Sequence, residues 1–271
     1  MLDWDVIVGL IKKVISQLRN DIEIPRIVKE AIFELLGSRC TIIYYPLENE
    51  INRGFHIKKI VNGKLEDFVY INTDKTMEQQ VFTAAHEMGH VFKISNEVQK
   101  LASGIGFELE MNDELEEQIT DRFAAELLMP EEEFRHLFAK NIEEFGYSNQ
   151  ITLLQLFRVI AKLMDDFMCP YNSVRKRLFE VGLLKDDELQ KYLKNNKKKH
   201  EELAEVLKKD NNSPINSITN VKTISGLRSL IEKASVSANV DLMLVEHIKK
   251  AFELEDVTTD GDLTIEIAKV D

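Results

Sequence analysis

His86, Glu87 and His90 occur in the run Thr-Ala-Ala-His-Glu-Met-Gly-His from Thr83 to His90, so two imidazoles lie four residues apart with a carboxylate beside the first. On an α-helix, residues i and i+4 stand above one another on one face. Both rings can then meet a single tetrahedral ion about 2.0 to 2.1 Å away. The chemistry this spacing permits is hydrolysis. A zinc-bound water has its pKa drawn down towards about 7, and an adjacent carboxylate can take its proton and pass it to a leaving amine. The reading therefore assigns Zn2+ to His86 and His90 and the proton transfers to Glu87, as in the His-Glu-x-x-His arrangement of zinc metalloproteases.

The motif needs a helix, and its flanks supply one. Thr76, Met77, Glu78 and Gln79 have the form of a capping box, with Thr76 as N-cap and Gln79 three residues on. Val81, Phe82, Ala85, Met88, Val91 and Phe92 then recur at helical spacing without an intervening proline. Two histidines leave a catalytic zinc short of its usual three protein ligands. A second helix, with a cap signature at Asp113 to Glu116, carries Glu117 and Asp121 one turn apart. The first carboxylate suits the metal and the second suits the outer ring N–H of a ligand histidine, whose tautomer it would set. Glu110, Glu114 and Glu116 compete with Glu117 in this acidic stretch. Glu116 is the nearest rival, although one residue is about 100° on a helix, so only one of Glu116 and Glu117 shares a face with Asp121.

Two blocks, Phe82 to His90 and Glu117-Gln-Ile-Thr-Asp-Arg-Phe-Ala-Ala-Glu-Leu-Leu-Met-Pro130, closely resemble the ImmA/IrrE family of gluzincin-like metallo-endopeptidases. The resemblance implies His86, His90 and Glu117 as metal ligands and Glu87 as the catalytic residue. Thr120 stands where the family commonly has Ala, and Ile119 where it is often polar; neither change removes a ligand. The fold implied is α+β. A zincin-like peptidase domain, a small sheet plus active-site helices, is expected over residues 1–140. A helix-turn-helix-like helical segment follows over 141–185, then a charged, mostly helical C-terminal region over 186–271. The resemblance also implies a substrate, a cytoplasmic helix-turn-helix transcriptional repressor whose cleavage derepresses mobile elements or stress genes. An open protease cleft inside a cell calls for a partner or signal that controls access.

Upstream of the motif, Phe33, Leu35 and Leu36 read as a core helix that runs into a strand at Thr41 to Tyr45. Gly54 to Ile60 and Phe68 to Asn72 read as two strands joined through Asn62-Gly63. The strand at Gly54 to Ile60 is the expected border of the cleft, where an extended substrate pairs with its edge. Tyr44, Tyr45, Tyr70 and His56 are the candidates for a donor to the oxyanion, with nothing in the sequence to choose among them.

At 271 residues, 44% apolar and 30% charged, the chain can bury a sizeable core. No apolar run approaches the ~20 residues of a membrane span, so no membrane association is expected. Met1 to Asp5 carries two acids where a secretory signal would be basic, which points to the cytoplasm. Cys40 and Cys169 have no pairing pattern and read as reduced. A net charge of -12 argues against a protein that coats nucleic acid.

After Met129-Pro130 a helix is expected to end near Asn141, followed by a helix through Leu153 to Leu163, a break at Cys169-Pro170-Tyr171, and a helix capped by Asn172 or Ser173 and ended by Gly182. Arg175, Lys176 and Arg177 fall early in that last helix, where a recognition helix meets base edges. The net charge of Ile151 to Gly182 is only +2, five basic against three acidic residues, so a bundle that packs on the peptidase or receives its substrate is preferred to DNA contact. Lys191 to Lys199 and Glu201 to Glu205 read as a solvated helix or linker, Asp210 to Pro214 as a break, and Leu227 to Ile248 as two helices. Leu263 to Ile267, after a turn at Asp260-Gly261, alternates like a strand. His136, His200 and His247 lack ligand spacing and read as surface or packing residues. The competing functional reading is a non-proteolytic regulatory module that captures a repressor or DNA; a retained Glu87 counts against it, because a structural metal site needs no base.

Overall fold

The computed structural model describes residues 3–49, 51–61, 63–148, 150–209, 218–236 and 240–254. Asn62, the segment Asp210 to Pro214, and the expected strand Leu263 to Ile267 with its turn at Asp260-Gly261 lie, wholly or in most of their length, outside the described residues. The fold is α+β, as expected. Helices α1 (Trp4–Asp21) and α2 (Ala31–Gly37) lead into strands β1 (Thr41–Tyr45), β2 (Gly54–Val61) and β3 (Lys64–Asn72). Helices α3 (Met77–Val91), α4 (Ile94–Gly104), α5 (Asp113–Leu128), α6 (Glu131–Glu144), α7 (Leu153–Phe167) and α8 (Tyr171–Glu180) follow. Beyond them come α9 (Asp187–Asn195), α10 (Lys197–Lys209), β4 (Thr223–Ile224), α11 (Leu227–Ser235) and α12 (Leu242–Ala251).

The sheet order is β2-β3-β1-β4. β2 and β3 form the expected antiparallel hairpin, with His56 opposite Val69 and Phe55 opposite Tyr70, and Gly63 takes the left-handed φ of +76° in its turn. β1 runs parallel to β3, with Ile42 opposite Val69, and β4 pairs antiparallel with β1. Among the described residues, the outer side of β2 carries no further strand. Val69 and Ile71 present their side chains to the main core, where Val81, Ala84, Ala85 and Met88 of α3 and Phe123, Ala124 and Leu127 of α5 are also buried.

α1 was not read from the sequence, although Ile7, Leu10, Ile11, Val14 and Ile15 mark one helical face and are all buried. Asp3 caps it, accepting from the backbone N–H groups of Asp5 and Val6 at 3.1 and 3.3 Å. Two expected helix starts are corrected, and a third, at Thr76, holds in position without its expected capping bond. Thr76 precedes α3 but its side chain makes no capping bond; its backbone instead bridges to Ile218. The cap of α5 is Asn112 rather than Asp113, its side chain accepting from Leu115 N–H at 2.8 Å. α8 begins at Tyr171 behind Pro170, not behind Asn172 or Ser173, since Pro170 C=O already accepts from the N–H groups of Ser173 and Val174 at 2.9 and 3.2 Å. Gly182 does end α8, at φ +69°, with Leu183 N–H returning to Leu178 C=O at 3.0 Å. α6 runs to Glu144, past the expected end near Asn141.

The basic stretch before Glu201 is not a free linker. α10 docks on α7 and α8, burying His200, Ala204 and Lys208. His200 sits among the rings of Phe157 and Tyr192, with centroids 4.7 and 5.2 Å away, so its role is packing, while His136 and His247 are exposed. Lys208 forms a buried ion pair with Glu78 in the first turn of α3. Thr73 Oγ1 donates to Val221 C=O at 2.8 Å, and Asn220 N–H donates to Thr73 C=O at 3.0 Å. Residues after 186 therefore brace the helix that carries the histidines. Both cysteines are free; burial first, then the charges of Asp67 and Glu87, pushes Cys40 up to about 12.

Candidate metal centre

His86, Glu87 and His90 belong to the last two turns of α3, and Glu116, Glu117 and Asp121 to the first turns of α5, which packs against it. Two glycines permit the close approaches. A Cβ on Gly89 would lie 2.5 Å from Thr120 Cγ2 and 3.3 Å from the Phe123 ring, so the bare α3 backbone accepts the Thr120 methyl and lets the helices close. This is where Thr120, unusual against the resembled pattern, has its place. A Cβ on Gly54 would lie 2.5 Å from Thr83 Cγ2 and 2.6 Å from Tyr70 C=O. Only glycine lets the start of β2 settle onto α3 there.

The three expected ligands converge. Nε2 atoms of His86 and His90 are 3.2 Å apart; Glu117 Oε2 lies 3.3 Å from the first and Oε1 3.2 Å from the second. A tetrahedron whose ligands stand about 2.0 to 2.1 Å from a central zinc has edges of about 3.3 to 3.4 Å. The donor set thus suits a tetrahedral ion in type, with the Glu117 carboxylate spanning the two rings, and it is the group among the described residues whose ligand atoms all lie within 4.8 Å of one another. Asp121 Oδ1 accepts from His86 Nδ1–H at 2.9 Å, which leaves Nε2 with its lone pair towards the cluster. Glu116, weighed as a rival ligand, lies with Oε1 3.5 Å from His90 Nδ1 and 3.3 Å from Ser95 Oγ. The two histidines are therefore each flanked by a carboxylate on the outer nitrogen. Sequence reading found the first and missed the second, because helical phase separates Glu116 from Asp121 but says nothing of which ring each one meets.

Electrostatics divide the groups. Burial pulls His86 down, but the hydrogen bond and charge of Asp121, with Glu87 and Glu117, outweigh it and raise its pKa. Burial and the neighbouring His86 lower that of His90. Glu87 is buried, and burial pushes its carboxyl up to about 7, His86 opposing and Glu117 adding to the shift. With a metal held here, Asp121→Ala is expected to weaken its affinity about 10- to 100-fold. Competition with a chromophoric chelator measures this, and an unchanged affinity would remove Asp121 from the site.

The four oxyanion candidates separate. Tyr70 donates its hydroxyl to Tyr45 C=O at 2.7 Å. Tyr44 and Tyr45 pack edge-on against Phe33 and Phe252, at 5.9 and 5.8 Å. His56 alone faces the cluster, its ring stacked 6.5 Å from that of His90, and its Nε2 lies 2.6 Å from Asp67 Oδ1. Of the basic residues expected at the DNA-facing end of α8, Arg175 and Arg177 are buried. Arg177 grips Glu126 of α5 through two bonds of 2.7 Å and donates from Nε to Met129 C=O at 2.9 Å. Lys176 is left at the surface.

A small sheet whose edge strand borders a His-Glu-x-x-His helix, with a second helix adding a carboxylate, defines a peptidase of α+β fold. The chain belongs to peptidase family M78, the model of whose IrrE N-terminal-like domain matches residues 38–179. The match runs from β1 to the last turn of α8. No curated protein matches the chain.

Proposed function

We propose that this peptidase is a zinc-dependent endopeptidase acting on a cytoplasmic protein, with His86, His90 and Glu117 as ligands. The observation that carries the reading is the convergence of the two Nε2 atoms, 3.2 Å apart, on the Glu117 carboxylate, one oxygen 3.3 Å from His86 and the other 3.2 Å from His90, beside a buried Glu87. A zinc ion bound there would supply Lewis acidity to the scissile carbonyl and acidity to a bound water. Glu87 takes the proton of the attacking water and gives it to the departing amine. Its surroundings hold its pKa near the operating pH, which favours both transfers. Asp121 and Glu116 keep both rings oriented with Nε2 towards the ion. The free edge of β2 offers backbone hydrogen bonds to an extended substrate, and His56, its Nε2 held by Asp67, borders the same centre.

The substrate we propose is a helix-turn-helix transcriptional repressor, the class implied by the family resemblance. Among the described residues no helix is long and apolar enough to cross a membrane. The test is direct. Purified chain should carry about one zinc per molecule and, incubated with a small helix-turn-helix repressor encoded beside it, should generate one new N-terminus detectable by mass spectrometry. Chelation should stop the cleavage and added zinc restore it. Loss of repressor activity without any cleaved product would favour the capture module instead.

A further inference from the structure

Two cavities meet at the His86 end of the cluster. One, of about 550 Å³, contains His86 and Glu87 and runs along the start of β2. The other, of about 590 Å³, is walled by α1, α3, α5, α8 and α10. They share Arg53, Phe82 and Asp121, so they form one groove that continues from the candidate metal centre to the helical half of the molecule.

The charges along the larger cavity are mostly consumed by one another. Arg122 meets Glu126 at 2.9 Å and Glu180 at 2.6 Å, Lys197 stands 3.9 Å from Glu201, and Asp121 is committed to His86. Arg53 and Lys176 have no ion-pair partner within 4.0 Å among the described residues, although both are exposed in the groove. Asp5, at the start of α1, is the remaining acid of this wall. Arg53 and Asp121 line both cavities and Lys176 lines the larger one, so both positive charges face this groove.

Both side chains project from fixed backbone. Arg53 C=O accepts from Asn72 N–H at 2.9 Å. Lys176 stands on α8 between buried Arg175 and buried Arg177, the latter locked to Glu126. Two positioned cations with no ion pair within 4.0 Å among the described residues, facing a groove that begins at the proposed hydrolytic centre, make a receptor for a carboxylate. The whole chain carries a net charge of -12, so such a local reversal of sign discriminates strongly between substrate side chains.

We propose that Arg53 and Lys176 form a specificity subsite for an acidic side chain, Asp or Glu, of the substrate. Because Arg53 lines the same cavity as His86 and Glu87, the acidic residue lies close to the scissile bond in the substrate. This assignment rests on the peptidase reading and extends it from reaction to sequence preference.

The test uses three pools of fluorescein-labelled peptides with identical degenerate flanks, carrying Glu, Gln or Lys at each of the central positions in turn. Zinc-loaded Glu87→Gln full-length chain serves as the capture form for anisotropy, and the wild-type chain digests the same pools with mass-spectrometric readout. One Glu-containing pool should bind at least about 10-fold more tightly than its Lys counterpart, and Arg53→Glu with Lys176→Glu should invert that order. Arg53→Gln with Lys176→Gln should flatten it while leaving the circular-dichroism spectrum unchanged, since both residues are exposed. Equal binding of all pools, binding of none, or a preference that survives the charge reversals overturns the subsite. Charge-selective binding without cleavage by wild type overturns the peptidase reading and leaves the subsite standing, whereas equal cleavage of all pools does the opposite.

Discussion

Glu87→Gln should reduce peptide hydrolysis by about 10²- to 10⁴-fold, the usual contribution of a positioned general base, while zinc content remains about one per chain. The amide matches the carboxylate in shape but cannot take a proton from water. Folding should not suffer. Burial raises the Glu87 pKa to about 7 in the metal-free chain, so between its ordinary value and about 7 the folded protein holds a proton that the unfolded chain has released. The stability tied to that proton is present at low pH and is lost as pH rises through about 7. Gln lacks the penalty, and the variant should unfold at the same or a higher denaturant concentration than wild type at pH 8. Single-turnover cleavage and metal analysis on one preparation separate the effects. Near-normal cleavage by the variant would sink the mechanism.

Arg177→Ala should lower stability by about 3 kcal/mol, towards the low end of the range for breaking a buried ion pair by removing one partner. The low end applies because Arg122, 2.9 Å from Glu126, still neutralises the carboxylate. For a chain of this size that is a fall of roughly 6 to 12 °C in melting temperature, read by thermal unfolding at fixed zinc concentration. The pair with Glu126→Gln should recover part of the loss, since no buried charge is then left exposed to an apolar wall. A shift of less than about 2 °C in the single variant would show that the α5–α8 contact is held by apolar packing alone. Because Glu126 lies on the same helix as Glu117, loosening this contact should also weaken zinc binding.

The residues that converge in the candidate centre were legible because their information is local. Four-residue spacing on a helix places His86 and His90 together whatever surrounds them, and the same rule places Glu117 with Asp121. The β2–β3 hairpin was equally readable from alternation and a turn residue, Gly63. Helix starts were less readable. Thr76 does stand at the N-cap of α3, but its side chain makes no capping bond and its backbone bridges to Ile218, more than 100 residues away.

Charge was misread where its partner was distant. Arg177 looks like a surface recognition residue in its own helix, but Glu126 and the Met129 carbonyl, far off in sequence, turn it into a buried clamp. Lys208 belongs to a polar helix by pattern and to the core through Glu78. In each case a long cationic side chain reaches a buried acid that no periodicity can reveal.

By itself, the sequence determined the α+β class, the histidine and glutamate types with their helical spacing, and hence the hydrolytic chemistry, since these depend on backbone geometry over one or two turns. The tertiary structure decided how near α3 and α5 stand, through Gly89 against Thr120, and which carboxylate meets which ring nitrogen. It also decided that His56 faces the centre while three tyrosines do not, and that Arg53 and Lys176 share one groove. These follow from packing between segments distant in the chain, where the direction of a side chain depends on which surface closes over it.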